Sequence, residues 1–219
     1  MWLKEFFGPG LTTRYELERL KDYLEKLEAY LEEAKEKFEN WANAEAAKLP
    51  SSEREQFDDA LSEEYSLYSE VFPRILRSSF LVTLHSFLES ELAWICESSR
   101  TKRDIPISWS KLRGSSMERA KVYILKLGGL DFPTGQPWTE IKSYIDIRNC
   151  IVHAAGNVRE LRNQQEKKRL CDYCSKQAGI SIDADGNLAL SKEFCLQAVS
   201  TLQGFFEELY DSYEGKKAP

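Results

Sequence analysis

The 219-residue sequence predicts an all-α helical bundle, with a long N-terminal helical hairpin and one small β-hairpin before the last helix. Three observations carry that expectation. Apolar residues recur at helical spacing along most of the chain. Serine–glutamate pairs of the capping-box type stand where periodic runs begin. Only 7 prolines and 11 glycines interrupt the whole sequence.

The first helix is the clearest. Leu17, Leu20, Leu24, Leu27, Leu31, Ala34, Phe38 and Trp41 alternate three and four apart, a heptad seam. Charged residues such as Glu18, Arg19, Lys21, Asp22, Glu25 and Lys26 fill the other faces, so the seam must pack on the next helix or on a second chain. Leu49-Pro50-Ser51-Ser52 ends this helix. Ser52 with Glu55 reads as a capping box opening a second helix, along which Phe57, Leu61, Tyr65, Tyr68 and Phe72 keep helical spacing. The short connection implies an antiparallel hairpin. Pro73 is expected to kink or divide the element that follows.

Residues 74–97 form the most apolar run, with Leu76, Phe80, Leu84, Phe87, Leu88, Leu92 and Ile95. It is apolar on more than one face and should be the central helix. Residues 98–114 read as a loop. Ser115 and Glu118 form a second capping box, opening a helix that ends at Gly128-Gly129. Pro133, Gly135 and Pro137 mark a turn, and a helix is expected over 138–155 with Gly156 as its C-terminal cap. A further helix is expected over 158–177. Ile180, Ile182, Leu188 and Leu190 flank a tight Asp185-Gly186 turn, which predicts the β-hairpin. Ser191 then caps a last helix carrying Phe194, Val199, Leu202, Phe206 and Leu209. The domain reading is an N-terminal heptad-bearing arm over 1–61, a helical domain over 62–212 and a tail over 213–219.

Apolar residues make up 42% of the chain, enough for a buried core. The formal charge of −6 hides a segregation. Residues 1–99 hold 11 Lys/Arg against 21 Asp/Glu, a net of −10, whereas 100–176 hold 16 against 8, a net of +8. A polyanionic ligand is therefore compatible with an acidic whole; mutual neutralisation of the blocks explains the pattern equally well. Met1-Trp2-Leu3-Lys4-Glu5 lacks the charged and apolar regions of a secretion signal. The apolar run 79–96 is broken by His85, Glu89 and Glu91, which suits a buried helix and not a bilayer span. The expectation is a cytoplasmic protein without membrane contact. Five cysteines, an odd number, point to reduced thiols.

The chemistry concentrates in Ile147-Arg148-Asn149-Cys150-Ile151-Val152-His153. The chain has 2 histidines, and His153 is one of them. On a helix, Asn149 and His153 share a face, while Arg148 lies about 140° around the axis from His153. A titratable imidazole, a permanent cation and an amide in one patch suit RNA transesterification. The ribose 2′-OH must lose a proton and the leaving 5′-oxygen must gain one, and histidine does either near neutral pH. A forked guanidinium stabilises the charge developing on the phosphorane. One trio supplies one histidine, so two copies across a dimer fill both roles most simply. No cofactor and no metal is called for.

Arg148-Asn149, three residues, then His153, followed by Ala154-Ala155-Gly156, resembles the motif of the HEPN family. The apolar run from Ser79 to Leu92 also looks like that family, and the resemblance covers roughly residues 62–212. It implies a helical bundle, usually dimeric, with the two motifs facing each other. Many members are endoribonucleases, often toxins of toxin–antitoxin pairs or parts of phage defence; others are non-catalytic interaction modules or nucleotide binders. On this resemblance Arg148 and His153 are catalytic and Asn149 assists. The implied partners are an RNA substrate, a second copy of the chain and an antitoxin or other protein. Some members carry a tyrosine two residues after the histidine; Ala155 stands there, so control by its modification is not expected. The competing reading is that Arg148 and His153 only offset the negative end of a helix.

Other features are read as structural. Cys171-Asp172-Tyr173-Cys174 has no second pair and no nearby histidine to complete a zinc site. Asp183-Ala184-Asp185-Gly186-Asn187 has its glycine at the fourth position, not the sixth, so a turn is expected and not a calcium loop. His85 is read as a satisfied core residue, although the face it shares with Glu89 could approach the motif. Arg159, Arg162, Lys167, Lys168 and Arg169 follow the motif on one expected helix, either as a track for an RNA backbone or as a solvated face.

Overall fold

The computed structural model describes residues 8–213 together with Lys4 and Gly215. Apart from Tyr213 and Gly215, the expected tail over 213–219 lies outside the described residues. The described residues are mostly α-helical, with a single two-stranded antiparallel hairpin among them, before the last helix.

Helix α1 spans Pro9–Ala46 and opens with Pro9 in its first turn, where a missing N–H costs nothing. Its seam divides along its length. Thr13, Leu17, Leu24 and Glu28 are buried, and Leu20, Leu27 and Leu31 pack at the edge of the core. Further on, Phe38 and Trp41 meet the rings of Tyr68 and Phe57 across the hairpin, at 5.6 and 6.4 Å. The first half of the seam thus belongs to the bundle and the second half to the hairpin.

Helix α2, Ser51–Ser66, starts earlier than expected. Pro50, extended at ψ 149°, sets the helix entry and puts Ser52 inside the first turn, so no Ser52–Glu55 box forms. A widened π turn over Leu67–Val71 leads into α3, Phe72–Lys102. There Phe72 N–H bonds Leu67 C=O five residues back. The extra residue gives room for Pro73, which lacks a donor and would clash with the carbonyl four residues before it. Pro73 therefore divides the element without ending it. The helix also runs past the expected end at 97, into what reads as a loop.

Helix α3 is central, as its apolarity implies. Phe80, Leu81, Leu84, Leu88, Leu92 and Ile95 are all buried on it, and it packs against α1 and against the helices over Gln136–Ala154 and Lys192–Tyr213. Two charged residues tie α1 to it. Arg77 pairs with Glu28 through both carboxylate oxygens at 2.7 and 2.8 Å and donates to Leu190 C=O. The buried Glu91 accepts from Lys4, from Thr13 Oγ1 and, at 2.8 Å, from the hydroxyl of Tyr210.

Helix α4, Ser116–Val122, begins with the expected capping box: Ser115 Oγ accepts from Glu118 N–H, and the Glu118 carboxylate accepts from Ser115 N–H. The bonds that the Glu118 carboxylate accepts from the N–H and the hydroxyl of Ser115 hold it below its ordinary range. Ser115→Ala is expected to lower stability by about 1 kcal/mol, read as a shift of the urea midpoint.

Helix α5, Gln136–Ala154, closes on Ala155, which takes the left-handed conformation (φ 50°) expected of Gly156; Gly156 follows at φ 79°. The Ala155 and Gly156 N–H groups converge on Cys150 C=O. The helix expected over 158–177 is broken in two: a 3-10 turn over Val158–Glu160, then α6 over Gln164–Cys174. The breakers are Asn157 and Asn163, whose side chains accept from the N–H groups of Arg159 and of Gln165 and Glu166. Such Asx turns compete with the helix ladder.

Strands β1 (Ile180–Ile182) and β2 (Leu188–Leu190) pair antiparallel, Ile180 opposite Leu190. Their turn is wider than Asp185-Gly186, because Asp183 N–H bonds Asn187 C=O and the Asp183 carboxylate accepts from Asp185 and Asn187 N–H. Gly186, at φ 94°, has the Arg159 side chain where a Cβ would stand. Helix α7, Lys192–Tyr213, follows, and Ser191 Oγ accepts from Phe194 N–H at its start as expected. Among the described residues no helix is long and apolar enough to cross a membrane.

Candidate active site

The last two turns of α5 carry the motif. Ile147, Cys150 and Ala154 are buried and fix the inner face of the helix. That leaves Asn149 and His153, four apart, on one outward face. Both line an open cleft of about 420 Å³ whose far wall is Glu160–Asn163 together with Glu166. The wall exists because the Asx turns at Asn157 and Asn163 fold the chain back against the end of α5. The His153 side chain is exposed.

Arg148 is half-buried and lies outside the residues lining that cleft. Its Nη1 donates to Asn149 Oδ1 at 3.2 Å. With its oxygen so engaged, the Asn149 amide presents its N–H groups as donors. Asn149 also lines a larger groove of about 1020 Å³ bounded by α4, α5 and α6. The structure therefore joins Asn149 and His153 in one cleft and ties Arg148 to them through Asn149. An exposed imidazole able to carry a proton, next to an amide donor polarised by a guanidinium, can bind an anionic group and exchange a proton with it. His153 also occupies the last turn of α5, where a cation offsets the negative helix end.

The basic residues beyond the motif do not act as one helical row. Arg159 precedes α6 and donates to Ala184 C=O; Lys167 donates to Arg159 C=O; Arg169 pairs with Asp146 through two bonds of 2.8 and 2.9 Å. Arg162 stands in the wall of the His153 cleft.

His85, on α3, is buried but not satisfied, which corrects the sequence reading. Its Nδ1 has no hydrogen-bond partner and lies 3.5 Å from a Glu89 carboxylate oxygen; the other Glu89 oxygen accepts from Ser116. Burial holds the imidazole below the ordinary value of 6.5; Glu89 opposes this, and the charge of Arg148 adds to it. The residue therefore belongs to the surroundings of Arg148. The spacing of His85 and Glu89 is visible in the sequence, but that the charge of Arg148 reaches His85 follows only from how α3 and α5 pack. An imidazole depressed in the folded state takes a proton more readily when unfolded, so stability is fully present above 6.5 and falls as the pH drops below it. The melting temperature is expected to decline below pH 6.5, before the carboxylate range, and His85→Asn to flatten that decline.

The cysteines are thiols. Cys150 is buried, and burial pushes its thiol up to about 12; Cys174 rises to about 11 for the same reason. Among the described residues no group of three or more His, Cys, Asp or Glu side chains is placed to hold a metal ion. Asp183 is absorbed in its turn, as above. No family model, no curated protein and no solved structure matches the chain.

Proposed function

We propose that this chain is a metal-independent endoribonuclease of the HEPN type, acting as a homodimer in which Arg148, Asn149 and His153 of both copies form one composite site. The observation that carries the reading is the exposed His153 sharing a cleft with an Asn149 that Arg148 holds. In the reaction, one His153 takes the proton of the ribose 2′-OH, and the 2′-oxygen attacks the adjacent phosphorus. The bond from phosphorus to the 5′-oxygen breaks, and the departing oxygen takes a proton from the partner's His153. Arg148 and Asn149 donate to the phosphoryl oxygens as their charge grows. The products are a 2′,3′-cyclic phosphate and a 5′-hydroxyl. The setting is cytoplasmic, in a toxin–antitoxin or phage-defence system, with an antitoxin or other protein as regulator.

A non-catalytic interaction module is the second reading, and the half-buried Arg148 beside the cleft, not within it, favours it. Dilution separates the two. If two copies build the site, cleavage per chain falls in step with the dimer fraction measured by sedimentation. Full specific activity in a monomer contradicts the composite site, and absence of cleavage at every concentration leaves the interaction module.

A further inference from the structure

Among the buried polar atoms without hydrogen-bond partners, His85 Nδ1 lies on α3 and Arg148 Nε on α5, two helices that pack on each other. Such atoms are rare in folded proteins, because their lost hydration goes uncompensated. These two are chemical complements. The Nε–H of arginine can only donate, and the bare nitrogen of a neutral imidazole accepts. Glu89, one of whose carboxylate oxygens lies 3.5 Å from His85 Nδ1, is anchored through its other oxygen by Ser116 of α4.

We propose that His85 is a positioning residue for Arg148. Neutral, it offers Nδ1 to Arg148 Nε–H through one water, and so fixes the guanidinium that holds Asn149. Protonated, Nδ1–H turns to the Glu89 carboxylate, and the imidazolium repels Arg148. The charges acting on His85 are Glu89 of its own helix and Arg148 of α5. From α4 comes the Ser116 hydroxyl, bound to Glu89. The acidic group α1 brings to this helix, Glu28, is taken by Arg77 two turns away, and Tyr210 of α7 binds Glu91. His85 is only 7% exposed, so it acts through Arg148 and not on substrate. Its consequence for cleavage rests on the nuclease reading above; the pairing itself does not.

The test has two arms. Nitrogen-15 NMR of the histidines in the full chain reads the pairing without RNA. At neutral pH His85 is expected to be neutral, protonated at Nε2 and bare at Nδ1, and Arg148→Gln is expected to raise the pH at which it titrates. A proton on Nδ1 at neutral pH, or a titration unmoved by Arg148→Gln, overturns the proposal. The second arm is RNA cleavage by two variants. His85→Phe fills the space without an acceptor and is expected to lower kcat by up to about 100-fold with KM little changed, the scale of a misplaced catalytic group. His85→Asn keeps an acceptor that cannot titrate; it is expected to retain activity and to lose the part of the acid-side decline in kcat that His85 contributes. A His85→Phe protein that folds, cleaves at the wild-type rate and keeps the wild-type acid-side decline overturns the role in catalysis. Wild-type protein that cuts no RNA sinks the nuclease reading alone, and the NMR arm still decides the pair.

Discussion

His153→Ala is expected to reduce RNA cleavage by about 10²–10⁴-fold, the range lost when a general acid or base is removed. The same change should leave folding nearly untouched. The side chain is exposed in the last turn of α5, and alanine is the better helix former. What is lost is the end-of-helix placement of an imidazole, a surface effect of about 0.3–1 kcal/mol. A large fall in rate with unchanged circular dichroism and melting temperature is thus the signature of a chemical role. Arg148→Ala is expected to cost about 10²–10³-fold, by analogy with removal of one preorganised donor. Arg148→Lys should not rescue it, because a lysine lacks the planar fork that reaches both Asn149 and a phosphate. If His153→Ala cleaves as well as wild type, the imidazole has only the helix-end role.

Phe205→Ala is expected to cost about 3–5 kcal/mol of stability, the usual price of deleting a fully buried phenyl ring. Phe205 is inaccessible to solvent, and the rings of Phe132, Trp138 and Phe206 surround it at 5.3, 6.0 and 5.3 Å. Trp138 sits in the first turn of α5. The cluster therefore seats the N-terminal end of the helix whose C-terminal end carries Arg148, Asn149 and His153. A cavity there loosens the helix as well as weakening the core. Urea unfolding should show a lower midpoint with an unchanged slope. A loss below 1 kcal/mol would mean that neighbouring side chains collapse into the space and that α5 is not anchored there.

Local signals in the sequence located most elements. Leu17 and Leu24 mark the buried half of α1, the Ser115–Glu118 box opens α4, Ser191 caps α7, and Ile180 pairs with Leu190. In each case the information lies within a few residues: a period, a cap or an alternation. Where two local signals compete, sequence alone does not rank them. The apolar positions of 158–177 favour one helix, but the side chains of Asn157 and Asn163 bond the backbone and split it. Pro73 marks a disturbance without telling that a π turn absorbs it.

The site shows the same division. That Asn149 and His153 share a face follows from helical periodicity, and the structure places them in one cleft. That Arg148 turns to Asn149, and that His85 on a distant stretch of chain lies near it, depends on the packing of α3 on α5. The loss of Arg159 and Arg169 to internal partners has the same origin, since their acceptors Ala184 and Asp146 come from other elements. Even the cap of α5 shows a tertiary hand: Ala155 accepts a left-handed backbone that glycine would take more readily.

The most direct test is to incubate the purified protein with RNA in excess EDTA and analyse the ends of the products. Two imidazoles and two guanidiniums need no divalent ion, so cleavage should persist and leave 2′,3′-cyclic phosphate and 5′-hydroxyl termini. Intact RNA at high protein concentration, cleavage that chelation abolishes, or products ending in 3′-hydroxyl and 5′-phosphate would contradict it.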